Sequence, residues 1–297
     1  MTVRSTAGSL VLLAALVGCD ADDPVAEPPL PSSPPVSPLS SSPTSSPASQ
    51  GAPSTTSATP EPGPGPPSWL GTRPLPLRAD GYGQTQPTPP ELDPRRFTLP
   101  DHVPPLPGPG FDAVVEQVPA EVLARSTWTP TCPVSADDLA YVRLTFWGFD
   151  DQRHTGELLV NRSVADDLVR VFHRLYDARF PFEELRITTR AELDAPPTGD
   201  GNDTGSFVCR PTTGSTTTYS QHAYGLAIDL DPFQNPYTKG DLVLPELAST
   251  YLDRDDVRPG MITADGVVVR AFDSIGWTWG GSWSSLKDYQ HFSQNGR

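Results

Sequence analysis

The sequence predicts an α+β domain with a mainly antiparallel sheet and flanking helices. Three observations carry that expectation. Tyr141-Val142-Arg143-Leu144-Thr145-Phe146 alternates with period two, and Gly156 to Val160 offers a second strand beyond a short turn holding His154. Val164, Leu168, Val171, Phe172 and Leu175 recur at helical spacing. Ser163 to Ala178 therefore reads as an amphipathic helix, capped by Asn161 or Ser163 and ended by Pro181. Strands and helices then follow one another without the regular strand-helix-strand spacing of a parallel sheet.

Composition divides the chain. Of its 37 prolines, 26 precede Phe111, so the first third is one kind of material and the rest another. Residues 1–18 read as an export signal, with Arg4 in the positive region and Leu10 to Val17 as an apolar run too short to span a bilayer. Leu16-Val17-Gly18-Cys19 resembles a bacterial lipobox. In that reading Cys19 is the new N-terminus and its thiol carries a lipid; the alternative is a plain secretory signal with an incidental cysteine. Asp20 to Pro67 is almost wholly Pro, Ser, Thr, Ala and Gly, a composition that buries no core. At about 3.1 Å per residue this stretch reaches on the order of 150 Å. Trp69 to Pro109 adds Leu75, Leu77, Phe97 and Leu99 among more prolines, and reads as an extension along the surface of the domain. His102 within it is not expected to bind a metal. The expected division is thus 1–18 signal, 19–110 tether and extension, and 111–297 folded domain.

The 111–297 stretch is long enough for one domain with a real core. Further expected elements are a strand over Leu185 to Thr189, a polar loop over Asp194 to Gly205, a short strand over Val267 to Val269, a short helix or turn over Arg270 to Ile275, and a last strand over Tyr289 to Phe292. Asp200-Gly201-Asn202-Asp203-Thr204-Gly205 hints at a calcium loop but lacks the trailing glutamate of an EF-hand, and reads as a polar turn. His173 lies on the helix beside Phe172 and is expected to pack. Trp277, Trp279 and Trp283 cluster among glycines, placed either to line a cleft or to fill the core. Cys132 and Cys209, in an exported domain, are expected to form a disulfide; two buried thiols are the alternative. The net charge of -15 and the pI near 4.6 exclude nucleic acid and anionic lipid surfaces as natural partners. Oligomeric state leaves no mark on the sequence.

The chemistry gathers around Ser220-Gln221-His222-Ala223-Tyr224-Gly225-Leu226-Ala227-Ile228-Asp229. Beyond Gly225 the pattern alternates, so Asp229 rides on a half-buried strand while the glycine allows a tight turn beside His222. Imidazole and carboxylate together suit zinc, and Asp288-Tyr289-Gln290-His291-Phe292 offers a second histidine. His222, Asp229 and His291 would fill three positions of one zinc ion and leave the fourth open for water. Asp288, three residues before His291, is placed to handle protons. No H-E-x-x-H motif is present.

These motifs resemble the zinc D-Ala-D-Ala peptidase family, the VanY-type carboxypeptidases and their L-alanyl-D-glutamate endopeptidase relatives. Phe207-Val208-Cys209-Arg210, Asp231-Pro232-Phe233-Gln234-Asn235-Pro236-Tyr237 and Gly276-Trp277-Thr278-Trp279-Gly280-Gly281 extend the resemblance, which runs from about Cys132 to the end of the chain. Tyr289 stands where some relatives carry a further histidine, and Asp288 where others carry glutamate. The resemblance implies a Hedgehog/D-Ala-D-Ala peptidase-like fold, His222, Asp229 and His291 as zinc ligands, and Asp288 as general base. It implies Arg210 as the group polarising the scissile carbonyl and Ser220 as a substrate contact; Tyr224 and Trp279 join as substrate-binding candidates. The implied activity is hydrolysis of peptidoglycan stem peptides, as a D-alanyl-D-alanine carboxypeptidase held outside the cytoplasm through Cys19. The alternatives are an L-alanyl-D-glutamate endopeptidase of the same fold and a non-catalytic wall-binding lipoprotein. A complete set of ligands and base argues against the last.

Overall fold

The protein is described here by a computed structural model covering residues 65–212, 215 and 217–297. The expected signal, Cys19 and the stretch up to residue 64 lie outside the described residues. β1 (Ala113–Gln117) leads through α1 (Ala120–Arg125) to the long hairpin of β2 (Leu139–Gly148) and β3 (Arg153–Asn161). β2 is central and antiparallel to β1 and β3, with Leu139 opposite Asn161 and Trp147 opposite Arg153. α2 (Ala165–Asp177) follows, and β4 (Pro181–Phe182) then joins β2 in parallel.

The hairpin is covered on both faces. Val142, Leu144, Phe146, Leu158 and Val160 point at α2, whose Leu168, Val171, Phe172 and Leu175 fill the main core. Leu139, Tyr141 and Leu159 point the other way, onto Val122, Val134, Ile187 and Phe207. The Cys132–Cys209 disulfide borders this second core. α2 begins later and ends earlier than expected. Arg162–Val164 is a 3-10 turn whose Ser163 amide donates to Asn161 Oδ1, and the chain leaves the helix at Arg179, with φ 53°, before Pro181 is reached.

Most of the remaining strands are short. β5 (Glu184–Leu185) pairs in parallel with β6 (Asp203–Thr204). The strand expected to reach Thr189 stops at Leu185, because Thr189 instead caps α3 (Arg190–Leu193) in a reciprocal box with Glu192. β7 (Ala227–Asp229), β8 (Tyr237–Lys239) and β9 (Leu242–Leu244) come next, then α4 (Val267–Asp273). The strand expected over Val267–Val269 is corrected: these valines form the start of α4. Burial of Val268, Val269, Ala271 and Phe272 in the main core outweighs their weak β preference, a few tenths of a kcal/mol each. β10 (Thr278–Trp279), β11 (Lys287–Asp288) and β12 (His291–Ser293) complete the chain, so the strand expected over Tyr289–Phe292 begins two residues later, at His291, with Tyr289 and Gln290 separating it from β11. β12 lies between β10 and β7, and β8 lies between β11 and β9, all antiparallel. The outcome is a mixed α/β architecture with several small, mostly antiparallel sheets and few helices, where one larger sheet was expected.

The folded body also begins before Phe111. Leu92, Phe97 and Leu106 are buried, the first two in a third core with Phe233, Leu247 and Tyr251. Arg95 is 1 % exposed and grips Glu183 through two bonds of 2.6 and 2.7 Å. Its third donor reaches Asp200 O, and Asn202 Nδ2 donates to the same Glu183. A buried pair so fully bonded ties the proline-rich extension to the body.

Candidate metal centre and cleft

Local structure explains how His222 is aimed. Ser220 Oγ accepts from the His222 amide and caps a 3-10 turn over Gln221–Tyr224. Gly225 ends the turn with φ 67°, and a Cβ there would stand 2.4 Å from the Asn161 nitrogen. That closeness lets Asn161 donate its amide to Gly225 O and its side chain to Tyr224 O, fixing the turn to the end of β3. After Leu226 the chain forms β7, paired with β12 so that Asp229 faces His291 directly. Strand register thus brings together two groups 62 residues apart.

His222 Nε2 is 3.2 Å from His291 Nδ1 and 3.2 Å from Asp229 Oδ2, and His291 Nδ1 is 3.0 Å from Asp229 Oδ1. Main-chain oxygens decide the tautomers. His222 Nδ1 lies 2.6 Å from Ser206 O, and His291 Nε2 lies 3.3 Å from the main-chain oxygen of Arg297. A carbonyl only accepts, so those outer nitrogens carry protons; a neutral imidazole then turns its inner lone pair into the cluster, whereas a charged one donates from that nitrogen to Asp229. Burial opposes ionisation of Asp229, but the charge and hydrogen bonds of His222 and His291 prevail and hold its carboxyl well below the usual range. Two nitrogen lone pairs and an anionic oxygen converging within 4.8 Å form a donor set that needs a cation between them. The residues fit zinc by ligand type and by their hydrogen-bonded outer nitrogens.

Asp288 sits on β11, opposite Tyr237 of β8, under the turn at Gly280. Burial first, and then the negative charge of Asp229, push its carboxyl up to about 7, against the pull of His291 and Arg210. Its Oδ1 is buried with no partner. Trp283 Nε1 and Gln290 Oε1 are likewise buried and unpartnered, and the Trp283 ring lies 5.5 Å from that of His291. An idle donor and idle acceptors around one cluster are what a bound substrate or ordered water would satisfy.

The cluster opens into a cleft of about 1350 Å³, larger than the roughly 300–1,000 Å³ of ordinary small-ligand pockets. His222, Asp229, Arg210 and Gln290 line it, and it extends past Arg186 and Glu184 toward Leu70 of the extension. Among the described residues, the one partner of the Arg210 guanidinium is Pro211 O at 3.3 Å, so its donors remain available.

The other candidates are placed differently. Ser220 is used as a cap. Tyr224 and Trp279 do not line the cleft, and the expectation for Trp279 is corrected. Its indole is 7 % exposed and its N–H donates to Tyr289 O at 2.8 Å, which fixes it in the core. Trp283, three residues past Gly280, has a buried N–H without a partner, and like Trp279 it does not line the cleft. His154 belongs to β3 instead of a turn and pairs with Asp101, while His173 stacks on Phe111. Sequence reasoning missed Gln290, visible only as the residue before His291, and the carboxylates along the cleft, which no motif marks.

Residues 213–294 match the family model described as D-alanyl-D-alanine carboxypeptidase. The match takes in His222, Asp229, His291 and Asp288, and leaves Arg210 and the bridged Cys132 and Cys209 outside. It supports a peptidase. No curated protein and no solved structure matches the chain.

Proposed function

We propose that this protein is a zinc-dependent peptidase that hydrolyses peptidoglycan stem peptides, acting as a D-alanyl-D-alanine carboxypeptidase. The carrying observation is the convergence of His222 Nε2, His291 Nδ1 and a carboxylate oxygen of Asp229 beside an open cleft. The family match over the same residues supports it.

A zinc ion held by these three residues supplies Lewis acidity, polarising a carbonyl and making water more acidic. The chain supplies the rest. Ser206 O and the Arg297 main-chain oxygen keep the imidazoles in the ligating tautomer. Asp288, whose proton affinity lies near neutrality, takes a proton from the attacking water and passes it to the leaving amine. Arg210, with free donors at the cleft, steadies the negative charge that grows on the carbonyl oxygen.

As part of the same proposal, Cys19 carries a lipid and the following segment spans from the membrane into the wall, so the enzyme works outside the cytoplasm. The test is digestion of purified wall, with the products weighed by mass spectrometry. Loss of a single alanine from the stem identifies the carboxypeptidase; cleavage next to glutamate would identify the endopeptidase alternative. No change in any muropeptide would overturn the enzyme reading.

A further inference from the structure

A second hollow lies apart from the cleft. It holds about 530 Å³, within the range of small-ligand sites, and none of the described residues lines both. One wall is the proline-rich extension, folded back on itself where Leu77 bridges Gly83 and the Arg78 amide donates to Tyr82 O. The other wall is the hairpin of β8 and β9. Tyr237 and Lys239 are two residues apart on β8, and Leu242 stands opposite Lys239, so all three share a face. Asp288 stands opposite Tyr237 on that same face, so the hollow adjoins the strand that carries the base.

The side chains in this hollow are uncommitted. Among the described residues, Tyr141, Tyr219 and Tyr251 use their hydroxyls in hydrogen bonds. Tyr176, Tyr251 and Tyr289 each have another ring or a guanidinium against them. Tyr82 and Tyr237 have neither, and both are half-buried where they line the hollow. Lys239 is exposed and joins no ion pair, whereas the other lysine, Lys287, donates to Gly281 O. Leu242, which is buried, adds an apolar contact.

Charge decides the kind of ligand. Arg78 is held by Asp80 and Asp241, and with Lys239 that sets two cations against two carboxylates. A site so balanced, on a chain of net charge -15, has no surplus with which to hold an anion. Two tyrosine rings without a stacking partner suit apolar C–H surface, while two phenols and an ammonium suit hydroxyl or carbonyl oxygens at its edge. A sugar ring offers both and carries no charge.

Resting on the peptidase reading for the source of that sugar, we propose that the hollow binds a neutral sugar ring of the wall glycan, holding the strand that bears the stem peptides beside the metal centre. Arg78 to Tyr82 lie outside the stretch 213–294 that matches the family, so the site depends on this chain's own extension.

The test uses the full chain without zinc, carrying ring-labelled tyrosine, titrated by NMR with an uncharged tetramer of N-acetylglucosamine. The ring signals of Tyr82 and Tyr237, identified from Tyr82→Phe and Tyr237→Phe, should shift together with a Kd of about 1 mM or tighter. Tyr82→Ala should weaken binding by about tenfold, and Lys239→Gln by about threefold. With zinc added, Tyr82→Ala should also lower wall cleavage, relative to cleavage of a free peptide ending in D-Ala-D-Ala, by about fivefold, because the glycan contact raises the local concentration of stems. No shift of either ring with the tetramer at about 10 mM would overturn the inference and leave the peptidase reading standing. That titration decides the matter even if a variant fails to fold. Ring shifts caused by inorganic phosphate but not by the tetramer would also overturn it, since they mark an anion site. So would undiminished tetramer binding by folded Tyr82→Ala, which would put the sugar elsewhere. Ring shifts with the tetramer but no cleavage of any peptide would remove the peptidase reading and keep the sugar site.

Discussion

Replacing Asp288 with asparagine should slow the enzyme and stabilise the metal-free protein. The carboxyl is held at about 7 by burial and by Asp229, against 3.8 for an ordinary aspartate. The unfolded chain gives up this proton near pH 4, while the folded chain keeps it until about pH 7. Between those limits the folded state binds more protons, so stability falls as pH rises, and it is level above. Each tenfold change in proton affinity corresponds to about 1.4 kcal/mol, which sets a ceiling near 4 kcal/mol for the cost above pH 7. Asparagine carries no such cost. The stability difference between Asp288→Asn and the parent should therefore be small at pH 4 and grow to as much as about 4 kcal/mol at pH 8. For a domain of this size that is roughly 8–16 °C in Tm. Added zinc should shrink the difference, since a nearby cation favours the carboxylate. Turnover should meanwhile drop by about a hundredfold or more, the range that general acid-base groups supply. The assay is urea melting with chelator at pH 4, 6 and 8, beside peptide cleavage with zinc. A stability difference that does not change with pH would refute the buried-charge argument, and undiminished turnover would refute the role as base.

Other outcomes follow from the same geometry. His222→Ala and His291→Ala should each lose the expected one zinc per chain by metal analysis, whereas Asp229→Asn should bind weakly and regain part of its activity in excess zinc. Arg95→Met would strand Glu183 in the interior, at a cost of about 3–5 kcal/mol in urea melts; adding Glu183→Gln should recover much of it, because the uncompensated charge is the main loss. Reducing the Cys132–Cys209 bridge, which spans 77 residues, should lower stability by about 4 kcal/mol in the chain-entropy view, and thiol labelling of the unfolded, unreduced protein should find neither cysteine.

What could be seen in the sequence depended on how local the signal was. The turn at Gly225 and the alternation after it mark where Asp229 rides, and the chemistry of His222, Asp229 and His291 marks them as a set. Strand register brings Asp229 and His291 together, which is local once both strands are known, and the capped turn before Gly225 adds His222. The hairpin of β2 and β3 was legible from alternation, although burial on both faces blurred its limits. Val267–Val269 misled because three β-branched residues look like a strand until the core they bury against is known. The extension was hidden by its own prolines: nothing local says that Leu92, Phe97 and Arg95 enter the interior, since their partners lie 88 or more residues away in the case of Arg95 and Glu183. Choosing among Trp277, Trp279 and Trp283 required the turn over Gly280–Ser282, which directs one indole N–H to a carbonyl and leaves another idle.

The facing of Asp229 and His291 across β7 and β12 also bears on how this chain can change. The period of a strand is two residues, so inserting or deleting one residue within either strand would turn Asp229 or His291 to the opposite face. The stretch between them, by contrast, leaves and returns to the same two points, and its loops can lengthen or shorten without moving either donor. Natural or engineered variation should therefore gather in that excursion and be nearly absent from six short positions. Zinc would add to this: its proposed holders converge only when the two strands are correctly paired, so binding would favour that alignment by mass action and act as a proofreader of strand pairing during folding.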